Sequence, residues 1–205
     1  MKKNTVYTIW ILGGILFLIS SILGWLLIDD YNILSQYISE TYTVDTQYGK
    51  VLRLFGYIPS WILIAIFYFN ALKYFPASRI NKIGFYGLAI FYGLATTLVW
   101  FFPCDKGCNR DFIDPSISQI IHNIAGWLTY ILVPISILLI GFWLKKSQKN
   151  IGLSTQAIVL WIISILFIFI FMTHPNSPYI GIYQRIIEII FITWLTLCAF
   201  SIKNN

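Results

Sequence analysis

Residues 154–173 read STQAIVLWIISILFIFIFMT, twenty positions without a charge. A helix of that length rises about 30 Å, the thickness of a bilayer's hydrocarbon core. Five further stretches share this character: Val6–Ile28, Val51–Leu72, Ile83–Phe102, Ile117–Leu144 and Ile180–Ile202. The reading is an all-α integral membrane protein, a single six-transmembrane-helix bundle over residues 1–205. The fourth stretch has a polar first turn, and Asp114-Pro115-Ser116 before it is a helix-start signal. Lys2-Lys3 precede the first stretch as in a signal peptide, but the stretch is too long for a signal h-region and lacks an A-x-A-type cleavage site.

Composition agrees. Only 11% of the 205 residues are charged and 58% are hydrophobic, whereas soluble domains carry about 25% charged residues. Mean hydropathy is +0.76. Lipid therefore has to be the solvent for most of the chain. The net charge of +6 is no nucleic-acid footprint, because membrane proteins use Lys and Arg to hold loops in the cytoplasm.

Alternate connections fall on opposite sides. One side, with both termini and the connections 73–82 and 145–153, holds nine basic residues: Lys2, Lys3, Lys73, Arg79, Lys82, Lys145, Lys146, Lys149 and Lys203. The other holds five: Lys50, Arg53, Lys106, Arg110 and Arg185. The positive-inside rule makes the first side cytoplasmic and the protein a multi-pass component of the inner or plasma membrane. All eight acids and both histidines then lie on the outer side.

Three groups there carry candidate chemistry. Asp105 follows the third helix, while Gln119, His122 and Asn123 share a face of the fourth at helical spacing. An Asp105–His122 pair is the minimum for a general base with an orienting carboxylate, and also suits a divalent metal. Equally, the stripe is a set of interhelical hydrogen bonds. On the sixth helix Arg185 and Glu188 are three residues apart, either a self-compensating ion pair or, through the arginine fork, an anionic head-group contact. Arg53 is a second candidate anion contact, or snorkels to the head groups. In the first outer loop Ile33–Glu40 reads as a short amphipathic helix, either lying at the interface or dipping in, ending on Ser39 and Glu40, which would then close over the bundle mouth. Glu40 would then be a second catalytic carboxylate or a solvated loop residue. Cys104 and Cys108 share a short outer loop, where oxidation to a disulfide is plausible; they lack the C-x-x-C redox spacing, and the sequence leaves their pairing open.

Ser20-Ser21-Ile22-Leu23-Gly24-Trp25, Tyr31 through Ile38-Ser39-Glu40, Phe102-Pro103-Cys104-Asp105, His122-Asn123, and Gly181 with Gln184-Arg185 follow in order along the chain. In order and spacing they resemble the bacterial and archaeal membrane-protein family catalogued as domain of unknown function 998. The resemblance implies six helices and singles out Ser39, Glu40, Asp105, His122, Asn123 and Arg185, but no reaction. A more distant likeness to alkaline ceramidases stops at their three-histidine zinc site, since this chain has two histidines. A mixed His–carboxylate metal site stays open.

Two functions are expected: an enzyme acting on a membrane lipid or lipid-linked substrate through Asp105, His122 and Glu40, with Arg185, Arg53, Glu188, Ser39, Gln119 and Asn123 binding it, or a non-enzymatic lipid sensor or assembly factor. A transporter ranks last, because the cytoplasmic halves of the helices offer no polar path.

Overall fold

The computed structural model describes residues 1–148 and 150–204; Lys149, counted above among the basic residues, lies outside them. Six helices are long and apolar enough to cross a membrane: α1 (Lys3–Leu27), α2 (Gly49–Tyr74), α3 (Arg79–Phe101), α4 (Ile117–Lys146), α5 (Ile151–Thr173) and α6 (Ile180–Asn204). In α3 and α5 a polar side-chain cap opens the helix before its apolar stretch. Ser78 Oγ accepts from the Asn81 N–H at 3.0 Å, opening α3. Asn150 Oδ1 accepts from the Leu153 N–H at 3.3 Å, opening α5. Such caps satisfy amide protons that have no partner inside the helix.

The helices form a ring in chain order, each packing on the next, with α6 returning to α1. Lipid supplies no hydrophobic drive between helices, so close approach depends on small residues. Gly93 of α3 lies against Ala65 of α2, where an added Cβ would come within 2.5 Å of the Ala65 Cβ. Gly141 of α4 and Ala157 of α5 meet in the same way. Hydroxyls tie neighbours to backbone: Ser60 Oγ donates to Gly13 O and Ser154 Oγ to Gly141 O, at 2.7 and 2.8 Å. Two helices carry a π turn, Arg53–Tyr57 in α2 and Leu88–Leu94 in α3. The first immediately precedes Ile58-Pro59, where the proline has no N–H to give a regular α-helical bond. Across the centre, Tyr92 meets Trp61 and Phe191 edge-on, with ring centroids 4.6 and 5.3 Å away.

The two ends of the ring differ. Tyr74 donates to Met1 O, Lys203 lies over the Tyr7 ring and Asn150 donates to Ser201, so the termini and the two basic connections gather at one end. The acid-bearing connections gather at the other, the acidic end. There the chain departs from the expected amphipathic helix over 33–40. Residues 33–35 are a turn, and a single 3-10 turn, Ile38–Tyr42, follows with all five residues buried. This segment plugs the mouth of the ring. Tyr42 packs on Trp100 at 4.0 Å between centroids, and Trp100 stacks on Tyr57 at 3.6 Å. That aromatic burial holds the segment dipped into the bundle mouth, the second of the two expected placements, though not as a helix.

Candidate functional site

The plug over residues 31–42 is held by charge. Arg110 Nη2 meets Glu40 Oε1 at 2.6 Å and also donates to Ser35 O at 2.8 Å. Its guanidinium lies 4.7 Å from the centre of the Tyr37 ring. Glu40 accepts in addition from the Tyr37 N–H at 2.9 Å and from Gln36 Nε2 at 3.0 Å. A carboxylate engaged in three bonds, one of them an ion pair, orders the plug. Arg110 is a functional residue the sequence reading missed. It sits seventy residues from Glu40, and no local pattern links the two.

Arg185 is the second clamp. Its Nη1 donates to Ile33 O, Gln36 O and Gly181 O at 2.9, 3.0 and 2.9 Å, and its Nη2 to the Tyr31 hydroxyl. Gln184 adds a bond from the Ile38 N–H to its Oε1 at 2.7 Å. Arg185 thus donates to backbone carbonyls and to the Tyr31 hydroxyl, and the Arg185–Glu188 ion pair is not made: among the described residues the ion pair is Arg110–Glu40. Burial raises the Tyr31 and Tyr37 phenols above the ordinary tyrosine value, with Arg185 and Arg110 respectively opposing the shift. Both hydroxyls therefore stay protonated at neutral pH.

The expected Asp105–His122 pair is also absent. Asp105 Oδ1 and Oδ2 accept from the Ser116 hydroxyl and N–H at 2.6 and 3.0 Å. These bonds hold its carboxyl below the usual aspartate value and brace the start of α4, where Ser116 Oγ accepts from the Gln119 N–H at 3.1 Å. His122 Nδ1 instead faces two carbonyls, Val99 O at 3.0 Å and Phe102 O at 2.9 Å. Two acceptors require Nδ1 to carry the proton, so Nε2 is the nitrogen with a lone pair in the neutral ring. Gln119 is fully buried as a strut: its Oε1 accepts from the Asp105 N–H and its Nε2 donates to Asn123 Oδ1, both at 2.8 Å. Cys104 and Cys108 are joined as a disulfide, and Ser39 Oγ lies 3.1 Å from Cys108 Sγ.

Beneath the plug is a cavity of about 690 Å³. Of the eleven positions singled out in the sequence, Ser39, Cys108, His122, Asn123 and Glu188 line it; Glu40, Arg53, Cys104, Asp105, Gln119 and Arg185 do not. Arg53 sits half-buried in the π turn of α2, its Nε without a hydrogen-bond partner. At the inner end Glu188, 9% exposed, accepts from the Tyr92 and Tyr130 hydroxyls at 3.3 and 3.4 Å. Gln184 Nε2 donates to Tyr130 at 3.1 Å. Tyr92 was not read from the sequence as a partner of Glu188; its signal was only one aromatic among many. The rest of the wall is mainly aromatic and aliphatic, including Phe17, Trp61, Trp100 and Phe171. On α4, Ile124, Trp127, Leu128 and Ile131 both line the cavity and are exposed on the surface of the bundle.

The site thus offers an apolar chamber with a buried carboxyl at its inner end, an imidazole and amide on one wall, and a side that reaches the apolar surface. No curated protein and no solved structure matches the chain. A family model described as protein of unknown function DUF998 matches residues 11–201, and the chain belongs to that family.

Proposed function

We propose that this membrane protein binds a chain-bearing lipid in the cavity beneath the plug, with the acidic end of the bundle on the extracytoplasmic side. The observation that carries the reading is the α4 wall. Exposed apolar residues (Ile124, Trp127, Leu128, Ile131) continue into a chamber of about 690 Å³, a size typical of small-molecule sites. An apolar chain enters such a chamber from lipid without crossing water. The chamber's polar groups, among them Arg110, His122, Asn123, Gln184 and Glu188, are fewer than its apolar ones, the pattern that orients a mostly apolar ligand. Binding is favoured over acid–base catalysis because Asp105 and Glu40 are committed to Ser116 and Arg110. The excess of Lys and Arg at the opposite end supports the orientation.

The test is lipid extraction and mass spectrometry on detergent-purified protein, comparing wild type with Gly126→Trp. Gly126 lines the cavity and a Cβ there meets open space, so the indole has room to fill the chamber. Wild type is expected to retain a defined lipid in stoichiometric amount and the variant to lose it. Equal retention by a variant with an unchanged thermal midpoint, or only bulk lipid in wild type, overturns the reading.

A further inference from the structure

Three soft or borderline ligand atoms converge beside the cavity. The Sγ atoms of Cys104 and Cys108 and a ring nitrogen of His122 all lie within 4.8 Å of one another, and all three residues are buried. The cysteines are joined as a disulfide, a form in which sulfur is a poor metal ligand because the thiolate is the binding species. His122 is already oriented as metal-bound histidines are: its Nδ1–H is held by two backbone carbonyls, which fixes the tautomer and leaves Nε2 to bind.

We propose that reduction of the Cys104–Cys108 disulfide turns this cluster into a Cys2His site for a divalent d10 cation, Zn2+, with its fourth position toward the cavity. The reductant is a dithiol. Its thiolate attacks one cysteine sulfur, the mixed disulfide resolves, and the reductant leaves as its own disulfide while two cysteine thiols form. Zinc then displaces two protons from those thiols, with no change in its oxidation state.

Geometry and charge both suit this chemistry. Tetrahedral zinc, with bonds of about 2.3 Å to sulfur and 2.0–2.1 Å to nitrogen, sets its ligand atoms about 3.4–3.8 Å apart. To meet that spacing the two sulfurs, about 2.05 Å apart in a disulfide, must part by roughly 1.7 Å, and the longest separation, within 4.8 Å, must close by about 1 Å. Gly107, between the cysteines, has a left-handed φ of 61° and open space at its Cβ position, so the loop has room to adjust. Two thiolates and a neutral imidazole cancel the charge of Zn2+ completely, and a neutral unit is what a buried position tolerates. Asp105 would add surplus negative charge, but its carboxylate is turned to Ser116. Ser39 Oγ, 3.1 Å from Cys108 Sγ, is the neighbouring oxygen for the fourth position; Cys108, His122 and Ser39 all face the cavity. This site stands independently of what the cavity binds.

The experiment uses the full chain in detergent. One sample is reduced anaerobically with a phosphine, the other left oxidised; both receive Zn2+, are dialysed, and their metal content is measured. A parallel Co2+ titration reads thiolate-to-metal charge transfer and the visible bands of tetrahedral cobalt. The reduced protein is expected to retain one zinc per chain and the oxidised protein none. Cys108→Ser and His122→Gln are each expected to weaken binding at least as much as loss of an outer-shell partner, roughly 10–100-fold. Cys198→Ser, which removes the remaining buried cysteine, is expected to change nothing. His122→Gln keeps a donor for the Val99 and Phe102 carbonyls, so its fold is preserved when the cysteine variant's is not. Failure of the reduced wild type to retain zinc, or unchanged binding by His122→Gln, overturns the proposal.

Discussion

Replacing Arg185 by leucine separates a structural clamp from an anion site. Three of its bonds tie α6 to the plug: Nη1 to Ile33 O and Gln36 O, and Nη2 to the Tyr31 hydroxyl. Hydrogen bonds to charged groups contribute about 1.5–3 kcal/mol each. Arg185 is only partly buried, so the low end applies and the three together hold the plug by roughly 4 kcal/mol. Local opening over residues 31–42 should then become about a thousandfold more frequent, since each 1.4 kcal/mol is a factor of ten. Hydrogen exchange followed by mass spectrometry on the detergent-solubilised protein reads this directly, because amide exchange reports local opening free energies. Arg185→Lys should fall between wild type and leucine, as an ammonium keeps the charge but not the planar fork. The bundle's helices, away from the plug, should keep their protection. Unchanged exchange over 31–42 in Arg185→Leu would refute the clamp and return Arg185 to the anion-binding role expected from its sequence position.

A double-mutant cycle on Glu40→Gln and Arg110→Gln should give a coupling energy of about 1–2 kcal/mol in thermal or denaturant unfolding, because the Glu40 side chain is 6% exposed and that of Arg110 24%. Additive effects of the two changes would show that the pair does not hold the plug. Asp105 predicts a pH effect. Its folded-state pKa is depressed by Ser116, so its contribution to stability is present above the unfolded value near pH 4 and is lost as the pH falls through the depressed value. The carboxylate is solvent-accessible, so the contribution is small and screened by salt. Asp105→Asn should flatten the acid limb of the thermal midpoint against pH; an unaltered slope below pH 4 would remove Asp105 from the bracing of α4.

The membrane spans were legible because lipid imposes a length and a composition on any crossing segment. The starts of α3 and α5 were not, since Ser78 and Asn150 open these helices outside the apolar stretches that a hydropathy reading detects. Within the site, residues were found by chemical type and missed by direction. Asp105 does not pair with His122: the carboxylate has a competing donor eleven residues on, at Ser116, and helical spacing says nothing about which way a loop carboxylate turns. Arg185 and Glu188 occupy one helical face. The long arginine side chain leans toward the helix start and reaches Gly181 O one turn back, while the shorter glutamate stays level with Tyr92 and Tyr130. The amphipathic pattern of Ile33–Glu40 left the interface and the bundle mouth as alternatives, because hydrophobic periodicity does not distinguish a lipid surface from a mouth lined by Trp100 and Tyr57.

Where lipid is the solvent, a charged group without a partner is costly, so the partners reveal which charges are structural. Glu40 is matched by Arg110, Arg185 by the carbonyls of the plug, and Asp105 by Ser116. Each of these matches closes the acidic end of the bundle. Two groups are left facing the chamber in a different state. His122 presents Nε2 once Nδ1 is taken by backbone, and Glu188 accepts from two tyrosine hydroxyls at 3.3 and 3.4 Å. Those distances are long for O–H···O bonds, whose usual length is about 2.7–2.8 Å. Glu188 therefore keeps accepting capacity that the protein itself does not saturate, with two long bonds where Glu40 has three short ones, one of them to Arg110. The same matches that tie Asp105, Glu40 and Arg185 to the closed end thus leave the imidazole on α4 and the carboxyl on α6 as groups that line the chamber with accepting capacity to spare.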